Sequence, residues 1–195
     1  MTSGPLRRLV EDAERVDRSV YESIAATRTP ALDTAMSRLS RAADYSKLSL
    51  AAAGLLAAGG GPRGRAAAVT GLASVGVTAA VVNIVIKPLA RRRRPERGAP
   101  DPARHVAMPI SRSFPSGHSA AAFAFAAGAG SRLPASAPPL TALATLIAYS
   151  RVHTGVHYPG DVIAGAVCGA SLAAATVAAM DRRGRSGPGT AAGQN

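Results

Sequence analysis

The chain has 195 residues, the size of one domain, and its 47% apolar content comes largely from small residues, with only 4% aromatics and no tryptophan. Such side chains fill a water-soluble core poorly but let helices approach closely in lipid, and they leave no set of rings on which nucleic-acid bases could stack. The formal net charge of +12 calls for an anionic partner, phosphate above all, while the lone cysteine, Cys168, excludes an internal disulfide.

The opening stretch MTSGPLRRLVEDAERVDRSV lacks the apolar centre of a signal peptide, so no cleavage is expected. Within residues 1–46, Val16, Val20 and Ile24, then Leu32, Met36 and Leu39, recur at helical spacing among balanced charges, with Pro30 as a break. Two amphipathic helices are expected, lying on the membrane surface or capping a bundle. An apolar run follows from Leu48 to Gly61, then the breaker GGGPRGR at 59–65, then a stretch from Ala66 to Ile86 without a charge. As a helix that stretch is about 30 Å long, enough to cross a hydrocarbon core. Basic residues crowd the segment from Lys87 to Arg112. Apolar runs resume at Ser119–Gly130 and Pro139–Tyr149, separated by SRLPASAPP at 131–139. A last span runs from Val162 to Met180, carrying Gly165 and Gly169 as a GxxxG face. The segment RRGRSGPGTAAGQN, 182–195, reads as a disordered basic tail. The expected fold is all-α: a polytopic transmembrane bundle of five to six helices over 47–181, with the amphipathic helices of 1–46 attached.

The polar residues cluster at the ends of the apolar runs. If the spans alternate, the 87–117 and 150–161 loops emerge together, which puts Lys87, Arg94, Ser116, His118, Arg151, His157 and Asp161 on one face. His153 and His157 have the spacing of a helical zinc pair. Gly155 and Pro159 interrupt such a helix, no Glu follows His153, and the face is crowded with cations, so no metal is expected. An anion suits it better. Arginine binds two phosphoryl oxygens with its planar fork, and lysine adds a point charge. PSGH at 115–118 suits a turn into a helix whose first N–H groups face a phosphate, with His118 near enough to give a proton to a leaving oxygen. Asp161, four residues after His157, can hold one ring nitrogen and leave the other free to attack.

These segments resemble the signature of the type 2 phosphatidic acid phosphatase superfamily, which also holds the vanadium haloperoxidases. In order, the chain carries Lys87, six residues, Arg94-Pro95; then Pro115-Ser116-Gly117-His118; then Ser150-Arg151, five residues, His157, three residues, Asp161. The resemblance covers about Lys47 to Met180 and matches every motif position. It implies that His157 attacks phosphorus and becomes a phosphohistidine, that Asp161 orients it, and that His118 protonates the departing alkoxide and then activates water. It implies that Lys87, Arg94, Ser116, Arg151 and the backbone N–H of Gly117 hold the phosphoryl oxygens, with no metal and no cofactor. His153 is left as a bystander that bonds the loop or faces solvent, Tyr158 as an interface residue, and Arg91, Arg92 and Arg93 as surplus cations facing head groups or water.

The brevity, the Ala/Arg-rich composition and phrases such as GVHYPGDVIAGA look like the small membrane phosphatases of actinobacteria. The implied activity is hydrolysis of a lipid phosphate or diphosphate at the cell membrane by a multi-pass protein. Polyprenyl substrates such as decaprenylphosphoryl-5-phosphoribose or undecaprenyl diphosphate come first, and phosphatidylglycerophosphate or phosphatidate second. A haloperoxidase would be longer and soluble, and the uncharged span argues against it. A basic scaffold, binding nucleic acid or protein partners, would need neither motif histidine nor Asp161. Nucleic acid is therefore not an expected partner. A homo-oligomer stays open, as does the membrane face that carries the site, because basic residues flank the spans at both ends.

Overall fold

Prolines start most of the long helices of this chain. Pro5 and Pro30 open the first two, and Pro62 and Pro138 sit within the first two positions of later ones, where the missing N–H has no intrahelical partner to lose. The computed structural model describes residues 4–97 and 102–186. Among these, seven long helices follow one another: α1 (Pro5–Ala26), α2 (Pro30–Ala42), α3 (Lys47–Gly59), α4 (Gly61–Leu89), α5 (Gly117–Arg132), α6 (Ala137–His153) and α7 (Pro159–Ser186). Short 3₁₀ turns at Asp44–Ser46, Pro102–Arg104 and Pro134–Ser136 connect them, and no strand occurs among the described residues. The protein is thus all-α, with five helices in the bundle and two amphipathic helices at its N-terminal side.

The helices α4 and α7, 29 and 28 residues long, are both long and apolar enough to cross a membrane. Leu55 on α3, Val69 and Ile84 on α4, and Ile163 and Val167 on α7 are exposed. For a protein that crosses a bilayer these faces are the ones that meet lipid tails rather than water. The break between α3 and α4 is shorter than GGGPRGR suggests: a single residue, Gly60, separates them, because Pro62 fits the first turn and Gly64 packs against the Leu56 carbonyl. Near its end α4 widens to a π-helix over Val81–Ile86 before Lys87. At the other end of the chain α7 continues to Ser186, so the first five residues of the expected tail are helical. Residues 187–195 lie outside the described residues.

The helix α5 is the hub. Ala120, Ala124 and Ala129 are wholly buried against its neighbours. The two glycines of the GxxxG face explain how α7 reaches it. A Cβ on Gly169 would lie 2.1 Å from the Ala120 carbonyl oxygen, and one on Gly165 would lie 2.5 Å from that of Ser116. Only glycine permits this approach, and it brings the first turn of α7 against the start of α5, where the Ser116 N–H donates to the Asp161 carbonyl at 2.9 Å. The N-terminal helices pack at this same end. Tyr21 and Ala25 of α1 join Ala148, Val152 and Val162 in one cluster, and α2 buries Asp33, Met36, Ser37 and Ser40. They cap the bundle, while Leu9, Val10 and Val16 of α1 remain exposed.

Candidate active site

Three chain segments meet at the capped end. Lys87 sits in the last turn of α4, and the extended segment after Leu89 carries Arg94 back toward the loop between α6 and α7. There Arg94 Nη1 donates to the Val156 carbonyl at 2.7 Å and to His157 Nε2 at 3.1 Å. Its Nε donates to the Ser111 carbonyl at 2.9 Å, and its Nη2 to Ser111 Oγ at 3.2 Å and the Arg112 carbonyl at 3.3 Å. Lys87 Nζ reaches the same Ser111 hydroxyl at 3.4 Å and lies 3.4 Å from where a Gly117 Cβ would be. The structure therefore brings Lys87, Arg94, Gly117 and His157 to one place, although their positions span much of the sequence.

Around His157 the hydrogen bonds choose a tautomer. A guanidinium only donates, so the Arg94 contact makes Nε2 the acceptor and leaves the ring proton on Nδ1. That nitrogen faces Asp161 Oδ2 and Ser113 Oγ, each at 3.4 Å. The carboxylate is well held, accepting from the Ser113 hydroxyl at 2.5 Å, the Tyr158 N–H at 2.9 Å and Arg92 Nη1 at 3.0 Å. Burial pushes the His157 imidazole down to about 4 from 6.5, and nearby Arg94 and Arg151 act in the same sense against the raising contact with Asp161. The ring is thus neutral near pH 7, with a lone pair on Nε2.

His118 occupies the first turn of α5, and its Nε2 lies 2.9 Å from Asp44 Oδ1. Arg151 lies in the last turn of α6 and is buried. Its Nη1 donates to Ser40 Oγ at 2.5 Å and stands 3.7 Å from the same Asp44 oxygen. Among the described residues Arg151 Nε is buried without a hydrogen-bond partner, which is costly for a cation unless an anion completes the site. Ser116 caps α5 by accepting from the Ser119 N–H at 3.4 Å and the Ser119 hydroxyl at 3.1 Å, so its own proton remains to donate.

The remaining expectations fare differently. His153 does not face solvent. It is buried and bonds Asp33 Oδ1 at 2.7 Å through Nε2, because α2 packs over the end of α6. Its partner is thus remote from that of His157. Burial raises the Asp33 pKa, but hydrogen bonds from Arg104, His153 and Thr29 outweigh it and hold the carboxyl below its usual value. Of the surplus cations, Arg92 is mostly buried and paired. It bridges Asp161 and Asp17 of α1 and lies 4.5 Å over the Tyr158 ring. Arg91 and Arg93 are exposed. Tyr158 stacks edge-on with Tyr21 of α1 at 5.6 Å.

Four residues that sequence reasoning passed over take part: Asp44, Ser113, Arg92 and Asp17, which also accepts from the Gly160 N–H at 2.6 Å. Asp44 left one signal, an acidic residue stranded at the edge of the first apolar run. Asp17 and Arg92 left none, since their pairing depends on how α1 docks.

A family model described as the PAP2 superfamily matches residues 67–185. Over 160 residues the chain is 36% identical to a decaprenylphosphoryl-5-phosphoribose phosphatase of Mycolicibacterium smegmatis, covering 80% of this chain and 84% of that protein. A protein of the same name from Mycobacterium tuberculosis is 39% identical over 97 residues. That match takes in 48% of this chain and 50% of the relative, so the chain spans about half the length of that relative. Two solved structures share the fold. A transmembrane PAP2 type phosphatidylglycerolphosphate phosphatase from Bacillus subtilis aligns with a TM-score of 0.68 at 24% identity, over 88% of this chain and 87% of that one. LpxE from Aquifex aeolicus aligns with 0.63 at 26% identity, over 82% and 93%.

Proposed function

The chain belongs to the PAP2 superfamily, and from that membership and the geometry above we propose that it is a multi-pass enzyme of the cell membrane that hydrolyses a lipid-linked phosphate through a phosphohistidine. The observation that carries this reading is the Arg94–His157 contact at 3.1 Å, which keeps Nε2 unprotonated, its lone pair aimed at the cation that would bind the phosphate. A structural histidine has no need of that arrangement, whereas a nucleophile does.

In the proposed first step His157 Nε2 attacks phosphorus while the bond from phosphorus to the leaving oxygen breaks. Arg94 gives up the ring and turns its N–H groups to phosphoryl oxygens, joined by Lys87, Arg151, the Ser116 hydroxyl and the Gly117 N–H. Apart from Arg94, which must turn, these donors are held in place by the fold, so they stabilise the spread negative charge of the transition state with little reorganisation. His118 supplies the proton that the departing alkoxide takes up. Asp44 holds its Nε2 at 2.9 Å, which leaves Nδ1 for the transfer. Asp161 favours the positive charge that develops on His157. In the second step His118 takes a proton from water, the oxygen attacks phosphorus, the phosphorus–nitrogen bond breaks, and inorganic phosphate leaves.

For the substrate we favour a polyprenyl-linked phosphoribose, on the names of the mycobacterial relatives. Phosphatidylglycerophosphate is second, on the name of the Bacillus structure. Release of inorganic phosphate from such lipids with chelator present tests the reading, and its loss in His157→Ala separates an enzyme from a basic scaffold.

A further inference from the structure

Asp161 is tied to the N-terminal cap through a row of charges. Arg92 Nη1 donates to Asp161 Oδ1 at 3.0 Å, and Arg92 Nη2 donates to Asp17 Oδ2 of α1 at 2.5 Å. The first N–H groups of a helix have no partner within it. Asp17 Oδ1 supplies one for Gly160, the residue before Asp161, at 2.6 Å. The approach is so close that a Cβ on Gly160 would lie 2.9 Å from Asp17 Oδ2. The Tyr158 ring covers the guanidinium, and the Arg92 carbonyl accepts from the N–H of Ser113, whose hydroxyl bonds Asp161. The side chains of Asp17, Arg92 and Asp161 are 11%, 20% and 0% exposed, so the row is shielded in a way that surface ion pairs are not. Glu14, Arg18, Arg91 and Arg93 border a cavity beside Arg92 and Tyr158, but they are exposed and water screens them.

The row bears on the nucleophile through its sum of charge. When His157 Nε2 bonds to phosphorus, Nδ1 keeps its proton and the ring becomes positive. Arg94 and Arg151 oppose that charge. Among the described residues Asp161 is the carboxylate in contact with the ring, and it is the group that favours the charge. Arg92 fixes this carboxylate but also works against it, since Arg92 and Asp161 alone carry no net charge. Asp17 changes the sum. With the guanidinium shared between two carboxylates, the three groups carry one net negative charge. Asp161 can then be held by a cation and still act as an anion toward His157.

We infer that Asp17 is a positioning residue for the nucleophile: it neutralises Arg92 and holds Gly160, so that the Asp161 carboxylate stays in place with its charge directed at His157. The inference rests on the phosphatase reading above. It gives the amphipathic helix α1 a part in the first chemical step, exerted through Arg92 and Asp161, although Asp17 stands 70 positions before the first motif residue, Lys87.

The test measures kcat and KM in detergent with two probes, phosphatidylglycerophosphate and p-nitrophenyl phosphate, and the rate at which protein-bound phosphate forms on rapid quench. Asp17→Asn keeps an oxygen for the Gly160 N–H but removes the charge, which leaves Arg92 unbalanced. A charge at this remove, in an effective dielectric of about 20, is worth roughly tenfold in rate. Formation of the bound phosphate, and kcat with it, should fall by about that factor while KM holds. The loss should appear on both probes, because the effect lies on the attack and not on protonation of the leaving group. Asp17→Asn/Arg92→Gln removes the opposed charges together and should recover most of the lost rate. A merely structural contact would respond the other way, since the second substitution withdraws a further tie to α1. A double variant no faster than Asp17→Asn, or a native rate in Asp17→Asn, would overturn the positioning role alone. Loss of the folded state in both variants would also overturn it, by making the contact structural. No phosphate from either probe with the native protein would overturn the phosphatase reading, and this inference with it.

Discussion

Arg94 Nη1 stands 3.1 Å from His157 Nε2, and the same nitrogen also donates to the Val156 carbonyl. One cation thus fixes both the loop that carries the imidazole and the tautomer it adopts. The same contact forbids a proton on Nε2, and burial, helped by the Arg94 charge, pushes His157 down to about 4.

That shift sets a pH dependence. His157 must be neutral to attack, so the acidic limb of kcat/KM should fall near pH 4 rather than at the usual imidazole value of about 6.5. Arg94→Gln removes a charge that lowers the His157 pKa, so the limb should move to higher pH while the rate falls. The limb moves only partway, because burial is the larger cause and it remains. A pH–rate profile of both proteins checks the direction, and a limb that moves down would contradict it.

Asp44 should matter to the acid and not to the nucleophile. Asp44→Asn withdraws the carboxylate 2.9 Å from His118. Loss of a positioned general acid costs up to about 100- to 10,000-fold, and a neutral amide at this position should give the lower part of that range on an alkyl phosphate. On p-nitrophenyl phosphate, whose leaving group departs without a proton, the loss should be far smaller. Equal losses on both would reduce Asp44 to a structural role.

His153 should act on stability. In His153→Ala the Asp33 carboxylate keeps Arg104 but loses a hydrogen bond of 2.7 Å inside the cap, which costs about 1–3 kcal/mol. The thermal midpoint in detergent should drop while kcat of the folded protein holds. Asp33 is held below its usual range, so the unfolded chain takes up its proton first as the medium turns acid. Its contribution is present above the unfolded value of about 3.9 and is lost as pH falls through the lower folded value. The midpoint of the native protein should therefore decline over that window.

The bundle was legible because its signals are local. Twenty-one uncharged residues before Lys87 can be little other than a long apolar helix, and Gly165 and Gly169 pointed to a close contact before its partner, α5, was known. The motif residues were legible as a group because spacing survives in sequence, and the structure brings Arg94 to His157 and Lys87 to Gly117. What stayed hidden came from docking. Arg92 looked like one of three identical arginines until α1 placed Asp17 against it. The partner of His153 lay on α2, 120 residues away. Sequence spacing reports contacts within a helix or a turn, and it cannot register which face of an amphipathic cap closes over a site.

The central claim is a covalent bond from phosphorus to His157 Nε2. Rapid quench of the native protein with a substrate labelled in its terminal phosphate should trap protein-bound label that is stable to base and labile to acid, as a phosphoramidate is. His157→Ala should trap none while still binding the lipid. Label that persists in His157→Ala, or a native protein that turns over without ever carrying label, would contradict the account.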